Sequence, residues 1–392
     1  MKGEIPMLIK NGRVHDGLGH VAVQDIRIME DKIVELGVNL AVADGEEMFD
    51  AAEMEITPGF IQAISNWGVN GSATEIRPSS QDNCESSNPI TPELDAFYAF
   101  NGRAATVQQL GAFGITSCGV APADSNLFGG KIAAFVVDGV NPYKMCLKRD
   151  IGMMSSVSGS IKQVYGAKQQ APQTRMWIFG SFELQLKQAL EYKEDPAGKR
   201  DDKLTALKEV VEGRLPLFVA CDTAVSVEHV KNIVGKYPNI QLVLVNGFGL
   251  TGDEAWIVEK KIPLVVRTAS NPLDLMAMSL DWKAIRKLVE QGVPVALSGT
   301  CATMFCARED LLWNSAEMMR VMPDSETVLS MITSTPAKIL GIDDQTGSIQ
   351  EGLRADLVIW SANPMESYQA HVVRTFMGGK AIYQEGDEMR CM

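Results

Sequence analysis

The chain has 392 residues, 46% hydrophobic and 22% charged, which is soluble globular usage and long enough for a barrel of roughly 250 residues plus a smaller satellite. No apolar run approaches the roughly 18 residues of a membrane span, and a net charge of −13 opposes a phosphate-backbone partner, so membrane insertion and nucleic-acid binding are excluded. Seven scattered cysteines read as reduced thiols, and the opening Met-Lys-Gly-Glu-Ile-Pro lacks a signal-peptide pattern; both point to the cytoplasm.

The first 57 residues alternate like antiparallel strands, over Met7 to Val14, Gln24 to Met29 and Lys32 to Leu36, with Gly12, Gly17 and Gly19 as turn punctuation. Phe60 to Ile64 and Ile115 to Val120 are predicted as strands, with a helix over Leu94 to Gly111 between them and a further apolar run at Ala133 to Val137. Asn70 to Thr91 and Tyr165 to Thr174 read as long loops, and residues 193–204 as a solvated turn between helices. From about residue 200 a strand–helix rhythm takes over. Strands at Leu217 to Ala220, Leu242 to Val245, Leu264 to Arg267 and Val295 to Ser298 alternate with helices at Ser226 to Lys236, Asp253 to Lys261 and Asp281 to Gln291. Continuous apolar strands between amphipathic helices imply a parallel sheet, most naturally closed as a barrel. Ala355 to Trp360, Val372 to Met377 and Lys380 to Tyr383 return to the texture of the opening segment, so both ends are expected in one small β module.

Several runs carry a resemblance. Met7-Leu-Ile-Lys-Asn-Gly-Arg-Val, Ile26-Arg-Ile-Met-Glu-Asp-Lys-Ile-Val-Glu-Leu-Gly and Ile56-Thr-Pro-Gly-Phe-Ile resemble the opening half-sandwich and first barrel strand of the amidohydrolase superfamily. Ser334-Thr-Pro-Ala-Lys-Ile-Leu-Gly and Gly347-Ser-Ile-Gln-Glu-Gly-Leu-Arg-Ala-Asp-Leu-Val-Ile-Trp are similar to its closing segment. Asn88-Pro-Ile-Thr-Pro-Glu-Leu and Ser125-Asn-Leu-Phe-Gly-Gly look most like the branch related to imidazolonepropionase. The resemblance implies an α/β fold with a (β/α)8 TIM-like barrel over residues 58–344, inserted in a composite β-sandwich formed by residues 1–57 and 345–392. It also implies hydrolysis of a C–N bond by a metal-bound water, at a site on the carboxyl ends of the barrel strands.

Carried over residue by residue, the metal ligands fail. The two histidines expected on the first strand are Ile64 and Asn66; the bridging lysine falls on Val136; the histidines of strands five and six become Ala220 and Asn246; the strand-eight aspartate becomes Thr300. Four histidines are present: His15 and His20, read as turn residues, His229 on a helix flank, and His371 in the closing module. None is expected at a strand's carboxyl end, and aliphatic side chains carry no donor atom, so neither a metal nor another cofactor is expected. Cys118, Cys221 and Cys301 fall near predicted strand ends. They suggest either a thiol nucleophile, with Asp222 as a base, or buried small hydrophobes. Arg267, Asn66, Asn246 and Thr300 would either hydrogen-bond a small ligand or fill the vacated space. Gly129-Gly130 reads as a turn. The leading expectation is a metal-depleted, non-hydrolytic subunit that assembles with itself or with an active paralogue. The alternative is a metal-free hydrolase working through the Cys and Asp residues.

Overall fold

The computed structural model describes residues 6–69, 82–193, 198, 200–247, 250, 252–267, 280–299 and 309–387. The opening segment forms β1 (Met7–His15), β2 (Val21–Met29), β3 (Lys32–Gly37), β4 (Glu47–Asp50) and β5 (Glu55–Pro58). The middle supplies β6 (Phe60–Ser65), β7 (Ile115–Val120), β8 (Phe128–Val136), β9 (Cys146–Ser156), β10 (Leu217–Ala220), β11 (Leu242–Asn246), β12 (Leu264–Arg267) and β13 (Val295–Ser298). The closing segment adds β14 (Leu357–Trp360), β15 (Val372–Met377) and β16 (Lys380–Gln384).

The two ends share one sheet, ordered β16-β15-β14-β5-β1-β2-β3, with β4 against β1. The join is the antiparallel pair β5–β14, in which Leu357 faces Pro58 and Ile359 faces Ile56. Alternation along these strands turns Ile9, Val14, Ile26, Ile56, Leu357, Ile359 and Phe376 into one apolar core. This sheet is separate from the barrel sheet, as the patterning of the two termini predicts.

The second sheet runs β6-β7-β8-β9-β10-β11-β12-β13. Its last five strands are parallel, and alternate residues go to opposite sides. Phe218 and Ala220 pack in the barrel lumen with Val243, Val245, Val265 and Ala296. Leu217 and Val219 join the layer under the helices with Val227, Val230 and Ile257. Full burial of each larger lumen side chain contributes roughly 1.5–3 kcal/mol, so the barrel axis is a packed core and not a channel.

Five local expectations need correction. β8 runs antiparallel to both β7 and β9, so the sheet is not all-parallel. β9 is not among the strands expected: after the half-buried Cys146 and Leu147 it carries the exposed Lys148-Arg149-Asp150 stretch, and continuous burial begins only at Ile151. Gly129-Gly130 lies within β8 and is not a turn; at Gly130, φ is +127° and an added Cβ would stand 2.6 Å from the Leu94 carbonyl oxygen, which accepts from Lys131 N at 2.8 Å. The helix expected over Leu94 to Gly111 is instead a turn at Ala96–Tyr98, the helix Ala105–Gln108 and a turn at Leu110–Phe113. Here Phe97 and Phe100 both stack on Phe135, which bends the chain toward β8. A helix, Gly159–Gly166, also occupies the start of the loop expected from Tyr165.

Candidate functional site at the barrel mouth

In a barrel of this class the chemistry sits where the parallel strands end. Ile64 and Ala220 reach that end from β6 and β10 and join the lumen cluster, 1% and 0% exposed. Asn66, one residue beyond β6, donates from Nδ2 to the Ala121 carbonyl at 2.8 Å, and Ser65 Oγ donates to the Gly119 carbonyl at 3.1 Å. Both side chains therefore tie the end of β6 to the end of β7.

Asn246 ends β11 with φ +91°, a left-handed conformation that asparagine tolerates better than most residues. Its Oδ1 accepts from Arg267 Nε at 2.8 Å and also from Arg267 Nη2. Arg267, at the end of β12 and buried, reaches on to Asp124 Oδ2 at 3.2 Å. Asn246, Arg267 and Asp124 thus form a charge-paired chain across the mouth. Asp124 was not anticipated; it lies on the β7–β8 connection, and no periodicity marks such a position.

The seam between β13 and β6 is closed by side chains. Gln62, fully buried, accepts from Gly299 N at 3.0 Å and donates to the Gly299 carbonyl at 3.2 Å, so one amide imitates a backbone ladder step. Ser298 Oγ donates to the Ile64 carbonyl at 3.0 Å. Gln62 stands where the family resemblance places an aspartate, which is the signal that would have found it.

The remaining expected residues fall elsewhere. Val136 pairs with Ser117 near the start of β7, because β8 runs backwards; it lies at the opposite rim of the barrel and cannot stand for a bridging ligand. Thr300 and Cys301 lie outside the described residues. Cys118 and Cys221 are buried in the layer beneath the helices and do not converge at the mouth. Burial pushes the Cys118 thiol up to about 12, only partly opposed by a hydrogen bond with Ser65; burial, with Asp222 alongside, drives Cys221 up as well. Both are protonated near neutrality, which removes them as nucleophiles. Asp222 accepts from Gly159 N at 2.7 Å and Ser226 Oγ at 3.3 Å, so it fastens the start of the Gly159–Gly166 helix and has no thiolate to serve. A cleft of about 480 Å³ opens beside β7 and β8, lined in part by Asp82, Cys84, Glu85, Asp95 and Tyr98; none of Cys118, Cys221, Asp222 or Arg267 lines it.

A profile of the amidohydrolase family matches residues 171–382, more than half of the chain. The chain belongs to this family. The family's fold extends further than the profile: an amidohydrolase structure from Thermotoga maritima superposes with a TM-score of 0.87 at 26% identity, covering 96% of this chain and 100% of that one. Molinate hydrolase shares the fold at a TM-score of 0.57 and 12% identity, over 97% of this chain and 95% of that one. Among curated sequences, a 5-methylthioadenosine/S-adenosylhomocysteine deaminase of Desulforudis audaxviator is 28% identical over 129 residues, 30% of each chain. An imidazolonepropionase of Bacillus cytotoxicus is 30% identical over 109 residues, 26% of each. The chain thus matches less than a third of the length of these curated relatives.

Among the described residues, those at this family member's mouth do not fit a catalytic divalent metal. Ile64 and Ala220 have no lone pair to offer, and the Asn66 and Asn246 amides are neutral and engaged. Among the described residues no three His, Cys, Asp or Glu side chains cluster as a metal would need.

Proposed function

We propose that this chain is a non-hydrolytic amidohydrolase-family subunit, which uses the barrel and sandwich as an assembly scaffold with itself or with an active paralogue. The observation that carries the reading is the self-satisfied mouth: Gln62 with Gly299, Asn66 with Ala121, and Asn246 with Arg267 and Asp124 occupy the groups that a hydrolase would turn toward metal and substrate. A water nucleophile at neutral pH needs a Lewis acid or a free base, and these contacts supply neither. The lack of any helix long and apolar enough to cross a membrane, among the described residues, and the absence of a basic surplus agree with a protein partner.

Two measurements test this. Elemental analysis of chelator-free protein should find well under one equivalent of zinc, manganese, iron, cobalt or nickel, and added metal should leave the melting temperature unchanged, since a ligand that binds only the folded state raises it. Light scattering on the native complex should return a mass above one 42.7 kDa chain. A stoichiometric metal accompanied by metal-dependent C–N hydrolysis would overturn the proposal.

A further inference from the structure

His15, read from sequence as a turn residue, ends β1 with its ring 2% exposed. Its Nδ1 lies 2.6 Å from Glu326 Oε1 and its Nε2 lies 2.7 Å from Glu55 Oε2. Glu55 opens β5 of the terminal sheet, whereas Glu326 lies in the helix Ser325–Ser330, which follows the last barrel strand. One imidazole therefore bridges the two sheet systems. A neutral imidazole carries a single N–H and can donate to only one of two ionised carboxylates; at the other it would oppose lone pair to lone pair. Only the imidazolium satisfies both contacts at these distances.

The other charges nearby reinforce the point. Arg13 Nε stands 3.8 Å from Glu55 Oε2, so two cations face two carboxylates. Asp16 is taken up by Leu18 N, His20 N and the His20 ring, and Asp324 by Thr327; opposite His15 on β2 is the uncharged Val21. Among the described residues Glu326 Oε2 is buried without a partner, so loss of the ring proton would leave a desolvated carboxylate facing a lone pair.

We propose that His15, Glu55 and Glu326 form a pH-dependent clamp that fastens the terminal sheet to the barrel, closed while His15 is an imidazolium and released when that proton leaves. Burial alone would lower the ring's pKa, but the hydrogen bonds and charges of Glu326 and Glu55 outweigh it, and the folded value lies above 6.5. A raised value contributes stability that is fully present below 6.5 and disappears as pH climbs through the folded pKa.

The test combines NMR titration of ¹³C-labelled histidine rings, with His15 assigned by the peak missing in His15→Gln, and melting temperatures from pH 6 upward. Wild type should show His15 titrating above 6.5 and a melting temperature that falls across that transition. Should His15→Gln fail to fold, Glu326→Gln keeps the idea falsifiable and supplies the assignment. Its amide can donate to the neutral ring while the ring donates to Glu55, so its His15 pKa should drop and its pH-dependent melting loss should flatten. A merely structural contact would not give that change. His15 titrating at or below 6.5, or Glu326→Gln keeping the wild-type pH dependence, overturns the clamp.

Discussion

Replacing Gln62 probes the seam that closes the barrel. The side chain is fully buried and makes two contacts with Gly299, one accepted at 3.0 Å and one donated at 3.2 Å. Gln62→Leu has similar volume but leaves the Gly299 N–H and carbonyl without their partner. A buried polar group stripped of its hydrogen bond costs about 1–3 kcal/mol, so two such groups make a loss of about 2–4 kcal/mol a reasonable expectation after some relaxation. Gln62→Glu separates the two contacts. Its carboxylate still accepts from Gly299 N but meets the Gly299 carbonyl oxygen head-on, and burial raises its folded pKa. Such a carboxyl imposes little penalty when protonated in both states and a growing one as pH rises through the unfolded value toward the folded one. Gln62→Glu should therefore approach wild-type stability near pH 4 and fall well below it near pH 8. Urea denaturation at both pH values measures the stability, and hydrogen exchange at Gly299 checks that the seam is what opens. Gln62→Leu within about 0.5 kcal/mol of wild type, or a Gln62→Glu penalty independent of pH, would refute the reasoning.

Two further outcomes follow, one from the mouth and one from the layer beneath the helices. Asn246→Ala removes the acceptor of Arg267 Nε and leaves at φ +91° a residue that tolerates it less well than asparagine, whereas Asn246→Gly removes the acceptor without that strain; both should lose about 1–3 kcal/mol, with the alanine variant about 1 kcal/mol worse in urea melts. Cys118 and Cys221, buried and protonated, should resist a water-soluble thiol reagent at pH 7.5 in the native protein and react fully in denaturant, as read by mass spectrometry of the labelled peptides.

The parts of the fold legible in the sequence are those whose cause is local. Period-two alternation announces β1, β2, β15 and β16, and short apolar runs between amphipathic helices announce β10 to β13. β9 lacks a local signal because the exposed Lys148, Arg149 and Asp150 interrupt its apolar run, and the reversed direction of β8 has no local signature at all. That one reversal explains the misplacement of Val136: the far end of a strand that runs away from the mouth lies at the opposite rim. Ile64 and Ala220, expected at the carboxyl ends of their strands, lie in the lumen cluster, each at a fixed offset within its strand. His15 and Gln62 could not be interpreted locally. The partners of His15 are 40 and 311 residues away and those of Gln62 include Gly299, 237 away, so only the folded chain brings their chemistry together.

The pattern of satisfied groups also distinguishes a settled mouth from a decayed one. A site that had merely lost its metal would keep carboxylates or imidazoles aimed at an empty centre, each burdened by desolvation without a partner. Here the buried side-chain atoms lacking partners among the described residues are on Glu93, Thr116, Ser117, Asn314, Glu326, Thr346 and Arg374, and none belongs to the mouth contacts of Gln62, Asn66, Asn246 or Arg267. The two vacated positions that point into the lumen are filled by aliphatic side chains packed against their neighbours, and the polar ones bond to backbone or to each other. Catalytic sites hold strained and under-satisfied groups at a cost in stability. On the proposed reading, dry packing and closed amide contacts in place of such groups would release that cost, and the barrel would keep its architecture while its mouth changed.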